Sequence, residues 1–235
     1  MHTMPVPIQP IYLFADSQLL FWKRGDALFL DSVRALLTSE SPKAAYIGAS
    51  NHDDPCFFGI FEAAMANVGI TGCRMIKSSY SMEDAAFLEQ ADLILLAGGD
   101  VEAGWCTLDE RGMNDVIIKR YREGAVLIGT SAGAAQLGSY GCKEKGPSNY
   151  ELFATLKLVP FMVDTHDERD EWRRLEETIL LLNTSVRGVG ISAGGGVIYH
   201  PDGDMEPIRF PIEVFAVTEG CLERSILLPE GHGES

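Results

Sequence analysis

The sequence is short of positive charge. Lys and Arg total 19 against 34 Asp and Glu, a formal net charge of −15. Nothing in so acidic a chain could track a phosphate backbone over a long stretch, which excludes a general nucleic-acid binder. Cysteine is sparse and dispersed: Cys56, Cys73, Cys106, Cys142 and Cys221 include no CxxC pair. That pattern suits reduced thiols rather than a disulfide frame or a zinc site. Histidine is equally sparse, five residues without HxH or HxxxH spacing, which argues against a metal hydrolase. No metal and no organic cofactor is therefore expected. No apolar run approaches the roughly 18 residues of a membrane span, and the opening residues lack the positive region and apolar core of a signal peptide. These absences point to a cytoplasmic protein with no membrane partner. There is also no repeat, low-complexity tract or linker, so the 235 residues read as one domain over 1–235.

What is present is an ordinary globular balance, 46% hydrophobic and 23% charged. Short apolar runs at Ile11–Phe14, Ala44–Ile47, Cys73–Ile76, Leu93–Ala97 and Ala125–Gly129 read as strands. Between them Asp26–Leu37, Phe57–Val68, the segment from Ser81 to about Gln90, and Asp109–Glu123 carry helical patterns. Ser81 with Asp84 three residues on is a capping box. Continuously apolar strands alternating with helices predict an α/β fold, a mostly parallel sheet covered on both faces in three α/β/α layers. The second half is richer in strands, at Leu156–Val163, Gly188–Ser192, Gly196–Tyr199 and Glu213–Thr218.

The strongest chemical signal is Gly129-Thr-Ser-Ala-Gly-Ala134, where a buried strand runs straight into a serine among small residues. A nucleophile on a sharp strand-to-helix turn needs such neighbours, because its strained backbone leaves no room for bulk. The same turn presents the next N–H where an oxyanion would develop. Ser131 needs a base. His2 and His232 lie near the chain ends, His52 sits beside Asp53 and Asp54, and His200 precedes a Pro-Asp-Gly turn. His166 closes an apolar strand at its carboxyl end, where a parallel sheet presents its ligands.

The Gly98-Gly99-Asp100 turn, the Gly129–Ala134 elbow and the block from Asp164-Thr-His166 to Glu177 together resemble peptidase family S51, the aspartyl dipeptidases (peptidase E) and cyanophycinases. The resemblance implies a class I glutamine amidotransferase-like fold and hydrolysis of a small peptide or amide beside an aspartyl residue. Residue by residue it implies Ser131 as nucleophile, His166 as general base, and the amides of Gly99 and Ala132 as oxyanion hole. For the triad acid it offers Glu144, 13 residues after Ser131 and 22 before His166, ahead of Glu151. It places Asp100 and Glu102 near the substrate, where the family usually carries Asn or Gln. Arg169 becomes the partner of a substrate carboxylate. Where the family has a glycine cluster near its first strand, this sequence reads Phe14-Ala-Asp-Ser-Gln18. The expected partner is a small peptide, with a homodimer as a further possibility. Two other readings stay open: an α/β-hydrolase esterase, which shares the GxSxG pattern, and a non-catalytic amidotransferase-like binding domain.

Overall fold

A computed structural model describes residues 7–182 and 186–230. The first half comprises β1 (Ile11–Phe14), the short pair β2 (Lys23–Arg24) and β3 (Ala27–Leu28), α1 (Phe29–Leu36), β4 (Lys43–Ile47), α2 (Pro55–Asn67), β5 (Gly72–Ile76) and α3 (Met82–Leu88). Then come β6 (Leu93–Leu96), α4 (Val101–Glu110), α5 (Met113–Arg122), β7 (Val126–Thr130) and α6 (Ala132–Leu137). The second half holds the hairpin β8 (Tyr140–Gly146) and β9 (Asn149–Ala154), then β10 (Phe161–Thr165) and α7 (Arg173–Leu182). It closes with β11 (Arg187–Ile191), β12 (Gly196–Tyr199), β13 (Met205–Ile208), β14 (Ile212–Thr218) and β15 (Cys221–Leu227).

Seven strands form the central sheet in the order β13-β12-β1-β7-β6-β4-β5. The five from β1 to β5 run parallel, and β12 and β13 add an antiparallel edge. Strand periodicity divides the core. Leu93 and Leu95 point to one face with Phe61 and Met65 of α2, while Ile94 and Leu96 point to the other with Leu108, Ile117 and Ala134. All four β6 side chains are buried, which is why that strand reads as an unbroken apolar run. Each such side chain contributes about 1.5–3 kcal/mol relative to exposure.

Local signals set the helix ends. Asp54 caps the Pro55 start of α2 by accepting from the Cys56 N–H at 2.8 Å. The Ser81–Asp84 box closes with both of its hydrogen bonds. Other expectations shift. The helix expected over Asp109–Glu123 is two helices broken at Gly112, whose φ is 67°. The earlier helix, α4, starts directly after the glycine turn because the Asp100 carboxylate accepts from the Ala103 N–H at 2.9 Å. The helix expected from Asp26 begins at Phe29, the residues before it forming the β2–β3 pair. The run Leu156–Val163 enters a sheet only from Phe161, just past Pro160.

The strand-rich half builds a second sheet, β10-β11-β14-β15. Helix α7 and Trp172 just before it cover it, with Trp172, Leu175 and Ile179 buried against Met162 and Phe215. The strand leading to His166 therefore belongs to this smaller sheet and not to the parallel one. Among the described residues, no helix is long and apolar enough to cross a membrane.

Candidate active site

Ser131 is the single residue between β7 and α6, with φ 48° and ψ −110°. A non-glycine residue held there carries strain of order 1–3 kcal/mol. The surroundings impose it: the Ser131 N–H donates to the Phe14 carbonyl at 2.9 Å, and the Ser131 carbonyl accepts from Ala134 and Ala135. Close packing fixes the small residues of the motif. A Cβ on Gly133 would lie 2.1 Å from the Leu96 carbonyl oxygen.

The glycine turn is locked against the same region. Gly99 has φ 135°, and a Cβ there would fall 2.0 Å from the Ser50 carbonyl oxygen. That carbonyl accepts from the Asp100 N–H at 2.8 Å. Gln136, itself buried, donates from Nε2 to the Ser50 hydroxyl and to the Val101 carbonyl, both at 3.0 Å. The amides of Gly99 and Ala132 have no hydrogen-bond partner among the described residues, and both residues line a cavity beside Ser131. Two free amides at one edge of a nucleophile are what a developing oxyanion requires. Asp100 is occupied as the α4 cap, and Glu102 pairs with the Lys143 ammonium at 2.6 Å. Neither lines the cavities that meet at Ser131.

His166 directly follows β10 in a left-handed conformation, φ 63°, its N–H donating to the Ile191 carbonyl at 3.3 Å. Ser131 and His166 line one cavity of about 250 Å³. The residue before the histidine reaches the serine as well: the Thr165 hydroxyl donates to Ser131 Oγ at 3.4 Å. The His166 ring has no hydrogen-bond partner among the described residues. His200 lies 3.2 Å from Glu206, in a different groove. His52 is exposed, and His2 and His232 fall outside the described residues.

Among the described residues no hydrogen bond joins Glu144 or Glu151 to His166, and neither lines its cavity. Glu144 is exposed on β8 and lines a separate groove with Tyr150, Asp167 and Arg173. Glu151, on β9, pairs with Lys145. Two other carboxylates bond to the backbone at 193–194, just past the Ile191 carbonyl that holds the His166 N–H. Asp16 lines the same cavity as His166 and accepts from the Gly194 N–H at 2.7 Å. Glu168 accepts from the Ala193 N–H at 3.3 Å through Oε1, while its Oε2 is buried without a partner among the described residues. In the sequence Glu168 sits inside an acid-rich run that reads as a solvated helix face, so only the fold singles it out.

A second cavity, of about 210 Å³, opens on the other side of Ser131 and is lined by Ala132, Cys142, Asp164 and Arg174. Arg174 grips Asp164 with two nitrogens: Nε donates to Oδ2 at 3.0 Å and Nη2 to Oδ1. Burial alone would lower the Arg174 guanidinium, but the hydrogen bonds and charge of Asp164 outweigh it and raise the group above its ordinary value. The partner of Arg174 is thus Asp164 on β10 and not Asp170, four residues before it in the chain. Arg169 is exposed on the turn after His166 and lines neither cavity. Burial pushes the Cys142 thiol up to about 11, so it stays protonated near neutrality and is a poor nucleophile. All five cysteines are free thiols. Among the described residues no cluster of three or more His, Cys, Asp or Glu could hold a metal ion.

The sequence model of peptidase family S51 matches residues 22–204. No curated protein matches the chain. Among solved structures, the chain resembles a peptidase from an acI-B1 Actinobacterium, with a TM-score of 0.69, 16% identity and 95% of each chain covered. It also resembles a Listeria monocytogenes EGD-e protein described as a peptidase E. There the TM-score is 0.62 and the identity 16%, over 87% of this chain and 100% of that one. At such identities the likeness speaks for the fold alone.

Proposed function

The chain belongs to peptidase family S51, and from that premise we propose that it is a serine-type peptidase of small peptides working through an acyl-enzyme. The observation that carries this reading is the strained Ser131 elbow sharing a cavity with His166 and flanked by two unpartnered amides. In the proposed reaction, Ser131 Oγ attacks the scissile carbonyl carbon as its proton passes to His166. The carbonyl oxygen turns into the Gly99 and Ala132 amides. Collapse breaks the C–N bond, and His166 hands its proton to the departing amine. Water then attacks the ester with His166 again as base, releasing the acid and free Ser131.

The finer reading is that the acyl-side residue is aspartyl. Its support is Arg174, whose Nη1 has no partner among the described residues while its other two nitrogens hold Asp164. Arg174 lines the cavity on the oxyanion side and takes the role that the sequence suggests for Arg169.

The test is kinetic. Purified protein should react with a fluorophosphonate at Ser131, and Ser131→Ala should not. Aspartyl dipeptides should be cleaved faster than asparaginyl ones. Arg174→Lys should raise KM for the aspartyl series by roughly ten-fold, the loss of one charge-assisted hydrogen bond, and Arg169→Met should not. No labelling at Ser131 overturns the peptidase reading. Labelling without aspartyl preference overturns only the finer one.

A further inference from the structure

We infer that the cavity shared by Ser131 and His166 is a leaving-group subsite for a neutral, apolar residue, an inference that rests on the acyl-enzyme reading above. Three features of the wall carry it. Its side chains are predominantly apolar: Leu20, Phe57, Ile60, Phe61 and Leu95. Two of its polar side chains are already engaged. The Tyr46 hydroxyl accepts from Asn51 Nδ2 at 2.7 Å, and the Asp16 carboxylate accepts from the N–H groups of Gln18 and Gly194. Beyond the groups that face the reacting carbonyl, apolar burial is the main means of holding a side chain there.

The third feature is charge. No Lys or Arg is among the described residues that line this cavity, and Asp16 is. A free C-terminal carboxylate on the leaving residue would meet an anion and no cation. The departing residue is therefore best held as an amide or as part of a longer peptide, with its apolar side chain in the cavity. Size agrees. Sites for drug-sized ligands run from roughly 300 to 1,000 Å³, whereas about 250 Å³ suits a single side chain with its backbone.

The rim supplies an independent sign. Phe57 and Ile60, on the first turns of α2, are 50% and 36% exposed although both are large and apolar. Exposed apolar side chains that ring an opening mark a surface that is covered in use. Orientation follows from the chemistry. His166 delivers the proton to the departing amine, so the residue carrying that amine lies on the His166 side. Ala132, whose amide receives the oxyanion, lines only the opposite cavity, and Gly99, the second such amide, lies at the junction and lines both.

The experiment compares kcat/KM for the peptide amides Asp-Leu-NH2, Asp-Ala-NH2 and Asp-Glu-NH2 and for the free acid Asp-Leu. The expected order has the leucine amide about 10- to 100-fold above the alanine amide, with the glutamate amide and the free acid below the leucine amide. In the double variant Phe57→Ser, Ile60→Ser the leucine-to-alanine ratio should fall several-fold. Both residues are exposed, so the fold tolerates the change. A ratio near one in wild type, or a free acid cleaved as well as its amide, overturns the inference. A second arm does not depend on turnover: Ser131→Ala protein is titrated with leucinamide, alaninamide and glutamate amide. Tighter binding of leucinamide sustains the subsite even if no aspartyl peptide is cleaved, which would sink the substrate reading alone. Equal affinities sink the subsite.

Discussion

The Thr165 hydroxyl donates to the Ser131 hydroxyl across 3.4 Å, joining the last residue of β10 to the turn that follows β7. The serine hydroxyl is thus tied to the strand that carries His166. The contact also crosses between two sheets, since β7 lies in the seven-stranded sheet and β10 in the four-stranded one.

Ser131→Gly should abolish turnover yet leave the protein no less stable than wild type. Glycine ordinarily costs up to about 1 kcal/mol relative to alanine in regular structure, but here it relieves a φ of 48° worth a comparable amount. Chemical denaturation of wild type, Ser131→Ala and Ser131→Gly checks this. A glycine variant less stable than the alanine variant would show that the turn is unstrained.

His166→Ala should lower kcat by several orders of magnitude, because nucleophile and base act as a unit. His200→Ala should change kcat little, since that ring pairs with Glu206 in a remote groove. Single-turnover kinetics on both variants reads the difference. An essential His200 would move the site.

Glu144→Gln should retain kcat within a few-fold, since its carboxylate is exposed on the hairpin and bonds nothing near His166. Glu168→Gln should lower kcat more than it changes KM. Its carboxylate pins the Ala193 amide two residues beyond Ile191, whose carbonyl holds the His166 N–H. A kcat–KM comparison of the two variants decides, and the reverse ranking would return the supporting role to the hairpin acid.

Asp167 provides a pH test. Burial first, and then the nearby charge of Asp164, raise its carboxyl above the ordinary value. A raised folded pKa means that the fold binds this proton more tightly than the unfolded chain does. Stability is therefore higher below the unfolded value of about 3.9 and falls as pH rises through the folded one. Asp167→Asn should stabilise the protein at pH 7, and the gain should shrink as pH falls through the raised folded value toward about 4. Denaturation midpoints across pH 3–8 measure it. A gain independent of pH would assign the effect to packing.

Much of the parallel sheet is legible in the sequence because its strands are buried on both faces: Ile11–Phe14 and Leu93–Leu96 have no polar residue to interrupt them. The elbow is legible for the same reason, a buried strand ending in small residues. The second sheet is legible only in part: Gly188–Ser192 and Glu213–Thr218 read as strands, but its edge strand β15 has an exposed, mixed pattern. The separate β8–β9 hairpin pairs only with itself in the sheets, so no apolar stripe announces it. Helix α4 hides behind Gly104, a residue that disfavours helix, yet a Cβ there would meet the Ser50 hydroxyl at 2.1 Å. Arg174 and Asp164 are ten residues apart and meet only when α7 packs on β10. Of two neighbouring arginines, periodicity alone cannot say which turns inward.

That Ser131 and His166, the proposed nucleophile and base, are carried by separate sheets gives the molecule two adjustable halves. Substitutions in the four-stranded sheet can shift His166 by fractions of an ångström without disturbing the strained turn at Ser131, and reacting groups lose rate steeply with such misplacement. Drift in catalytic rate among variants should therefore collect in β10, β11 and the loop after Ile191. Loss of the nucleophile's geometry should collect in β7, α6 and the Ser50–Gln136 anchor. A chain whose smaller sheet undocks before the larger one melts would keep its elbow, its amides and most of its secondary structure, and be inert.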